Sequence, residues 1–309
     1  MAERKWTYDY IPNQSGRVVL ITGANSGLGY QQALMMAKKG AEVILAGRDR
    51  TKIDKAIELI ANQVPAAKLS SVMLDLANLH SVAKCAKEVR QKYDRLDLLV
   101  NNAGVMIPPF SLTRQGFELQ FGVNHLGHFA LTGQLLPLIL LTPHSRIVSM
   151  TSLAGIAGSI DLNDLHYENR RYIKMLAYGQ SKLANLMFIH ELATRLEATG
   201  SKTIAVAAHP GGSPTNLQQN SGFVFRRILT PLTSHPASEG ALPILRAACD
   251  PKAANGSFWA PSGLFGLTGS PVEVNMPAKA VHKTKCDQLW TISEKLTNVS
   301  YEEFFSAGL

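Results

Sequence analysis

Short β-rich apolar runs alternate with segments of helical periodicity over the first two thirds of the chain. An apolar run at residues 17–22 comes first, and a segment with helical spacing at 27–39 follows it directly. The same alternation predicts further strands at 42–46, 69–74, 96–101, 146–150, 203–208 and 257–260, and helices at 51–63, 79–92, 116–141, 177–199, 238–249 and 285–296. Strands that are joined through helices pair in parallel, because each connection has to cross back over the sheet.

This order of elements predicts an α/β fold, a Rossmann-type doubly wound parallel sheet of about seven strands with helices on both faces. With 309 residues and 46% hydrophobic content, the chain can bury one large core. We therefore predict a single Rossmann-fold domain over residues 1–309. Within it, the cofactor-binding part covers about 14–210, a substrate-covering loop about 211–236, and a C-terminal extension about 257–309.

Composition restricts the classes of partner. The formal net charge is +8, but the basic residues are spread along the chain, and the densest group is Arg170, Arg171 and Lys174. We interpret this group as a solvated rim and expect no nucleic acid partner. The longest apolar run, residues 135–141, is too short for a membrane span, which needs roughly 20 residues. Three widely separated cysteines indicate free thiols in a reducing compartment, so we expect a cytoplasmic protein.

A glycine-rich turn stands between the first strand and the first helix. Glycines in this context let the backbone approach a pyrophosphate, and the helix N-terminus attracts its charge. The turn therefore predicts a dinucleotide site that includes Gly23, Asn25, Ser26, Gly27, Leu28 and Gly29.

The end of the second strand bears on the choice of dinucleotide. An NAD site places a carboxylate there for the ribose 2′-hydroxyl, whereas the first charged residue here is Arg48. A guanidinium at this point can pair with a 2′-phosphate, which favours NADP(H). Asp49 follows immediately, so NAD(H) stays open as an alternative.

Tyr178 and Lys182 are four positions apart on a predicted helix, so their side chains share one face. A tyrosine with an ordinary pKa near ~10 needs a neighbouring positive charge to act as an acid or base at neutral pH. Lys182 can supply that charge, although such pairs also occur on solvent-facing helices.

Together these motifs resemble the full set of the short-chain dehydrogenase/reductase family. The resemblance is carried by Thr22-Gly-x-x-x-Gly-x-Gly29, Asn101-Asn102-Ala103-Gly104, Asn124, Ser152 and Tyr178-x-x-x-Lys182, in the family's order. In detail the chain is similar to the retinol dehydrogenase and WW-domain oxidoreductase branch and its bacterial relatives. The segments that carry this closer similarity are 122–129, 178–185 and 289–293.

The resemblance implies roles for individual residues. Tyr178 would exchange a proton with the substrate oxygen and Ser152 would hold that oxygen, while Lys182 would bind the nicotinamide ribose and lower the tyrosine pKa. Asn124 would hold a water that links the lysine to solvent. Further cofactor contacts are implied for Asp75, Leu76, Asn101, Ala103, Gly104, Pro210, Gly211, Ser213 and Thr215.

The chain departs from the family's common pattern at two places. Ser152 and Tyr178 are 26 positions apart, about twice the usual gap, and we expect the insert at 161–167 to form part of the substrate rim. The loop after Pro210 carries Gly212 and Ser213 where an apolar residue is frequent. Beyond it, residues 216–235 are apolar enough to suggest a lid that orders on binding.

These features predict an NADP(H)-dependent oxidoreductase that interconverts an alcohol and a carbonyl on a small hydrophobic substrate. Two alternatives stay open, reduction of an activated carbon–carbon double bond and a non-catalytic dinucleotide sensor. His125, His128 and His209 lack acidic or cysteine partners at ligand spacing, so no metal is expected. A homodimer through the helices after the fourth and fifth strands is compatible with the apolar segment 129–141.

Overall fold

The computed structural model describes residues 5–212, 236–263 and 266–305. Its strands are β1 Val18–Thr22, β2 Glu42–Gly47, β3 Lys68–Met73, β4 Leu98–Asn101, β5 Arg146–Met150, β6 Ile204–Ala208, β7 Phe258–Pro261 and β8 Pro271–Val274. Its helices are α1 Gly27–Lys38, α2 Arg50–Gln63, α3 Leu79–Lys92, α4 Leu119–Phe121, α5 Gly127–Leu141, α6 Leu153–Ala157, α7 Lys174–Ala198, α8 Ala237–Gly240, α9 Leu242–Cys249, α10 Lys283–Thr297 and α11 Glu302–Phe305. A π-helical turn at Gly122–Leu126 joins α4 to α5.

The strands form one sheet in the order β3-β2-β1-β4-β5-β6-β7-β8, and every pair is parallel except β7 with β8. All five side chains of β1 are buried, as expected for a central strand that is covered on both faces. The strand order reverses between β1 and β4. Open parallel sheets bind ligands at such a switch point, beyond the carboxyl ends of the strands.

Helices cover both faces of the sheet, which confirms the predicted doubly wound architecture. One apolar cluster contains side chains from α3, α5, α7 and α10, such as Val82, Phe129, Leu186 and Leu289. A second cluster contains side chains from α1, α2 and α9. No helix within the described ranges is both long enough and apolar enough to cross a bilayer.

The structure differs from the sequence-based expectation in several elements, among them the unpredicted four-residue helix α11. The sheet has an eighth strand, the antiparallel β8, which is only four residues long and lies in a Gly/Pro-rich stretch that masks its pattern. The predicted helix at 116–141 begins at Leu119, because Gly116 has a φ of +83° that a helix does not accept. The short helix α6 was not predicted, since five residues carry too little periodicity.

Candidate active site

A groove of about 670 Å³ lies at the switch point, beyond the carboxyl ends of β1, β2 and β4. Its wall includes most of the residues that the sequence assigned to a cofactor, namely Gly23, Asn25, Ser26, Gly27, Leu28, Gly29, Arg48, Asp75, Leu76, Ala103 and Gly104. The rest of the wall is largely apolar, and it comprises Val105, Met106, Pro108, Leu119, Val123 and Met150 among others.

The glycine-rich turn is shaped for close approach of a ligand. Gly23 has a φ of +67°, a conformation that L-residues rarely adopt. A Cβ on Gly29 would lie 2.7 Å from Asn102 Nδ2 and would also overlap the Gly23 carbonyl oxygen. No side chain caps the N-terminus of α1, so its first N–H groups are available for an anion. This cradle fits the diphosphate of a dinucleotide.

Asp49 is already engaged by neighbouring groups of the protein, whereas Arg48 has no such partner among the described residues. The Asp49 carboxylate caps α2 by accepting a hydrogen bond from Lys52 N at 3.1 Å, and it lies 3.3 Å from Lys52 Nζ. These contacts lower the pKa of Asp49, with the backbone hydrogen bond as the largest cause. Arg48 is exposed on the groove wall and has no hydrogen bond or ion pair with another described residue. The guanidinium is therefore the group available to a ligand at the end of β2.

The catalytic candidates Tyr178 and Ser152 meet beside this groove. Ser152 caps α6 at the end of β5, with its Oγ 3.3 Å from Ala154 N, and its hydroxyl is near enough to the Tyr178 phenol to act on the pKa of that phenol. Burial raises the pKa of Tyr178 to about 12, and the Ser152 hydroxyl acts in the opposite direction. Burial is therefore the dominant effect on this phenol, and the pKa-lowering role implied for Lys182 stays a prediction.

Lys182 is a buried cation near the same point, with 2% of its surface exposed. Its Nζ donates to the Met150 carbonyl oxygen at 3.2 Å and lies 5.9 Å from the centre of the Tyr178 ring. Burial lowers the pKa of Lys182 to about 8. A Cβ on Gly104 would lie 3.4 Å from this ammonium, so the glycine leaves the space between the groove and the lysine open.

Asn124 lies in the π-helical turn, a feature that often marks functional sites. Its side chain pairs with the backbone of Val105, since Oδ1 accepts from Val105 N at 2.8 Å and Nδ2 donates to Val105 O at 3.0 Å. Nδ2 also donates to Ser181 Oγ at 2.9 Å. The side chain therefore joins the loop after β4 to α7, and the water-binding role implied for Asn124 stays a prediction.

The match to known proteins agrees with this geometry. Residues 17–222 match the family model described as short chain dehydrogenase. The chain belongs to the short-chain dehydrogenase family. The segment that matches contains the glycine turn and the four catalytic candidates, as the sequence motifs predicted.

Named relatives place this family member in the retinol dehydrogenase-like branch. Human retinol dehydrogenase 13 is 44% identical over 208 residues, which are 67% of this chain and 62% of that protein. Mouse retinol dehydrogenase 14 is 38% identical over 307 residues, covering 92% of this chain and 86% of that protein. A crystal structure of an uncharacterized protein from Mycobacterium paratuberculosis is 41% identical, with a TM-score of 0.80 over 96% of this chain and 99% of that one.

Several cofactor residues that the family resemblance implied do not reach the groove. Asn101 is only 1% exposed, and its side chain points to Thr132 Oγ1 at 2.9 Å, so its neighbour Asn102 lines the groove instead. Pro210 and Gly211 are half-buried after β6 but do not line the groove. Ser213, Thr215 and the predicted lid at 216–235 lie outside the described residues.

A buried network beneath the groove was missed by sequence reasoning. Thr22 Oγ1 accepts from Asn102 N and Ala103 N, both at 2.9 Å, and lies 3.0 Å from His128 Nε2. His128 Nδ1 is 3.0 Å from the Asn124 carbonyl oxygen and must donate to it, so Nε2 is left to accept from Thr22. The network thus couples the glycine turn to the π-helical turn. The four-residue spacing of Asn124 and His128 was the available signal for it.

His125, His128 and His209 are buried, and their contacts fit a structural role. Burial lowers the pKa of His125 to about 3 and the pKa of both His128 and His209 to about 4, so all three are neutral near pH 7. His125 Nε2 is 2.8 Å from Ser293 Oγ, and His209 Nδ1 accepts from Gly211 N. Among the residues that the structure describes, no group of three or more His, Cys, Asp or Glu side chains could hold a metal ion.

Proposed function

We propose that this protein is an NADP(H)-dependent oxidoreductase that interconverts an alcohol and a carbonyl on a small hydrophobic substrate. The observation that carries the proposal is the meeting of Tyr178, Ser152 and Lys182 beside a glycine-lined groove. When bound, the nicotinamide group supplies or accepts the hydride. A non-catalytic sensor would need the glycine turn but none of these three side chains.

The chain's own residues can carry out the proton transfer that accompanies carbonyl reduction. With its pKa raised to about 12, the Tyr178 phenol is protonated at neutral pH and can donate its proton to a carbonyl oxygen. The Ser152 hydroxyl lies near that phenol, where it lowers the pKa of Tyr178, and it can orient the same substrate oxygen. The Lys182 ammonium stabilises the phenolate that remains, because the charges would face each other in a poorly hydrated site.

The choice of cofactor rests on the end of β2. The Asp49 carboxylate is occupied by Lys52 and by the cap of α2, whereas the Arg48 guanidinium faces the groove. A 2′-phosphate would gain charge-assisted hydrogen bonds there, which supports NADP(H) over NAD(H). The glycine turn, Asp75, Leu76, Ala103 and Gly104 would hold the rest of the dinucleotide.

Two further points concern substrate and location. The apolar wall from Val105 to Pro108, with Leu119 and Val123, suits a hydrophobic alcohol, aldehyde or ketone. Retinol and retinal are sensible first compounds, because curated relatives carry the name retinol dehydrogenase.

All three cysteines are buried free thiols, which is in keeping with a reducing, cytoplasmic compartment.

The proposal is tested by assaying alcohols, aldehydes, ketones and an enone with NADPH and with NADH, and following nicotinamide absorbance. We expect carbonyl reduction with a higher kcat/KM for NADPH than for NADH. Tyr178→Phe should lower kcat by roughly 10²- to 10⁴-fold and keep NADPH binding, whereas Tyr10→Phe on the surface should change neither. Unchanged turnover in Tyr178→Phe, or turnover of the enone alone, would refute the proposal.

A further inference from the structure

An exposed apolar patch borders the catalytic helix. We call it the rim patch, and it consists of Phe110, Leu112, Ile173, Met175 and Leu176. Their exposed fractions are 49, 53, 46, 47 and 54% respectively. Five of the nine large hydrophobic side chains that are exposed in the described part of the chain belong to these two short segments. Clustering of this kind, unlike single exposed leucines, marks an interaction surface.

The two segments of the rim patch are held together by side-chain contacts at their centre. The ring of Phe110 packs edge-on against the ring of Tyr172 at 5.1 Å, directly before Ile173. Gln120 Nε2 donates at 2.9 Å both to the Tyr172 hydroxyl and to the Lys174 carbonyl oxygen. The loop after β4 and the start of α7 therefore present one continuous surface.

The first turn of α7 stands out from the body of the protein. Residues 174–176 are exposed, whereas every residue from Ala177 to Ile189 is buried. The exposed turn ends two positions before Tyr178, which places the rim patch next to the candidate active site. Apolar side chains that stay in water here cost free energy, and another surface that covers them would remove that cost.

The charges around the rim patch are mainly positive. Arg114, Arg171 and Lys174 are exposed beside its apolar members. Among nearby carboxylates, Glu118 is fully buried, Asp161 is half-buried and Asp164 is paired with Arg170, which leaves Glu168 as the exposed one. The chain as a whole has a formal net charge of +8. An anionic partner is therefore favoured over a second copy of this chain.

We propose that the rim patch docks on the surface of an anionic lipid bilayer. Its apolar side chains would enter the interfacial layer while Arg171 and Lys174 contact lipid phosphates, the combination by which peripheral proteins bind membranes. A nucleic acid would use the positive charges but would leave five apolar side chains without partners. The use of such docking rests on the proposed function. A hydrophobic alcohol or aldehyde dissolves in the bilayer, and a docked protein would face its active site towards that bilayer.

Vesicle co-sedimentation of the full chain tests the docking directly and needs no turnover. We expect at least tenfold tighter binding to vesicles of equimolar phosphatidylcholine and phosphatidylglycerol than to phosphatidylcholine alone, and loss of binding in 0.5 M NaCl. A failure here would leave the proposed oxidoreductase activity intact, since that activity is assayed with soluble substrates. Absence of binding to the anionic vesicles, or equal binding to both kinds, would overturn the docking proposal.

Two double variants separate the apolar from the charged contribution to vesicle binding. Arg171→Gln with Lys174→Gln should weaken vesicle binding roughly 30-fold, at about fivefold per charge. Met175→Ser with Leu176→Ser should weaken it by tenfold or more. The matched control is Lys55→Gln with Leu59→Ser on α2, an exposed pair with the same residue classes, which should bind as the wild type does.

Each remaining outcome has a defined meaning. Equal weakening by the α2 control would show that binding depends on overall charge and would overturn the assignment to the rim patch. Light scattering that shows a dimer in the wild type and a monomer in Met175→Ser with Leu176→Ser would assign the patch to a second copy instead. Turnover of a water-soluble carbonyl should be the same in all these variants, which checks that they fold.

Discussion

Lys182 is the residue at which function and stability oppose each other most clearly. Lys182 is 2% exposed, and within the described residues its ammonium donates one hydrogen bond, to the Met150 carbonyl oxygen, to which Asn185 Nδ2 also donates at 3.1 Å. Burial lowers its pKa from 10.5 to about 8, so the native state pays for keeping a charge away from water. Within the described part of the chain no carboxylate pairs with this ammonium, and burial is the cause of the lowered pKa.

We predict that Lys182→Met stabilises the fold while it abolishes activity. One pKa unit corresponds to about 1.4 kcal/mol, so the gain in unfolding free energy at pH 7 is on the order of 2–3 kcal/mol after the lost hydrogen bond. Chemical denaturation of the wild type and of Lys182→Met measures this difference in unfolding free energy. The exposed control Lys87→Met should change stability by no more than about 0.5 kcal/mol.

The pH dependence of this prediction has a definite sign. Between pH 8 and 10.5 the unfolded chain binds more protons at Lys182 than the native state does. The stability contribution of this residue therefore rises with pH across that window, and the advantage of methionine shrinks. A gap between the two proteins that stays constant from pH 7 to pH 10.5 would contradict the assignment of the cost to the buried charge.

At the scale of elements, the long segment between Ser152 and Tyr178 acts as a strap. Gln180, on α7 next to Tyr178, donates to the Leu165 carbonyl oxygen at 3.0 Å and accepts from Arg170 at 2.7 Å. At its other end, the Tyr172 hydroxyl donates to Glu118 Oε1 at 3.0 Å. Glu118 in turn accepts from the N–H groups that begin α4, ahead of the π-helical turn. The strap thus joins the helix that carries Tyr178 to the turn that carries Asn124.

We predict that Tyr172→Phe loosens this connection. Glu118 is fully buried, and burial raises the pKa of its carboxyl while the Tyr172 hydroxyl opposes that rise. Loss of the hydroxyl should cost about 1–3 kcal/mol of unfolding free energy and lower kcat roughly tenfold, with NADPH affinity unchanged. Tyr167→Phe is the matched control, because its hydroxyl has no hydrogen bond to a described residue. Equal effects of both variants on kcat would refute the positioning role.

At the scale of the whole molecule, the C-terminal helices cover the face on which a dimer was expected. Trp290 on α10 packs against Phe129 of α5 at 5.3 Å and against Phe188 of α7 at 5.8 Å. Tyr301 is fully buried and its hydroxyl donates to the Phe129 carbonyl oxygen at 2.7 Å. Most of the apolar segment 129–141 is therefore buried within its own chain, and a homodimer through α5 and α7 stays a prediction.

We predict that Trp290→Ala reopens this face. Loss of the indole should lower the unfolding free energy by about 3–5 kcal/mol, as for other large buried aromatic side chains. The uncovered rings of Phe129 and Phe188 should then cause self-association that grows with concentration, measured by light scattering. The control Leu141→Ala removes a side chain that is 79% exposed and should change neither quantity. A Trp290→Ala protein as stable as the wild type would show that the C-terminal helices contribute little to the core.

Much of the fold and part of the site were determined by the sequence alone. The strand–helix alternation predicted the parallel order of β1 to β7, and the glycine turn predicted the groove residues from Gly23 to Gly29, because both depend on local spacing and on backbone freedom. The Tyr178-x-x-x-Lys182 spacing placed both side chains on one helical face for the same reason. Family membership followed from motifs that are contiguous along the chain.

The tertiary structure alone decided the features that depend on burial and on contacts between distant segments. It buried the Tyr178 phenol and thereby raised its pKa, because hydration is lost only when the surrounding elements pack. It turned Asn101 towards Thr132, committed Asp49 to the cap of α2, and linked Thr22 to His128 over 106 positions. It also paired β8 with β7 and laid the C-terminal helices over α5 and α7. No local pattern encodes such pairings, since their free energy arises from surfaces that meet only in the folded chain.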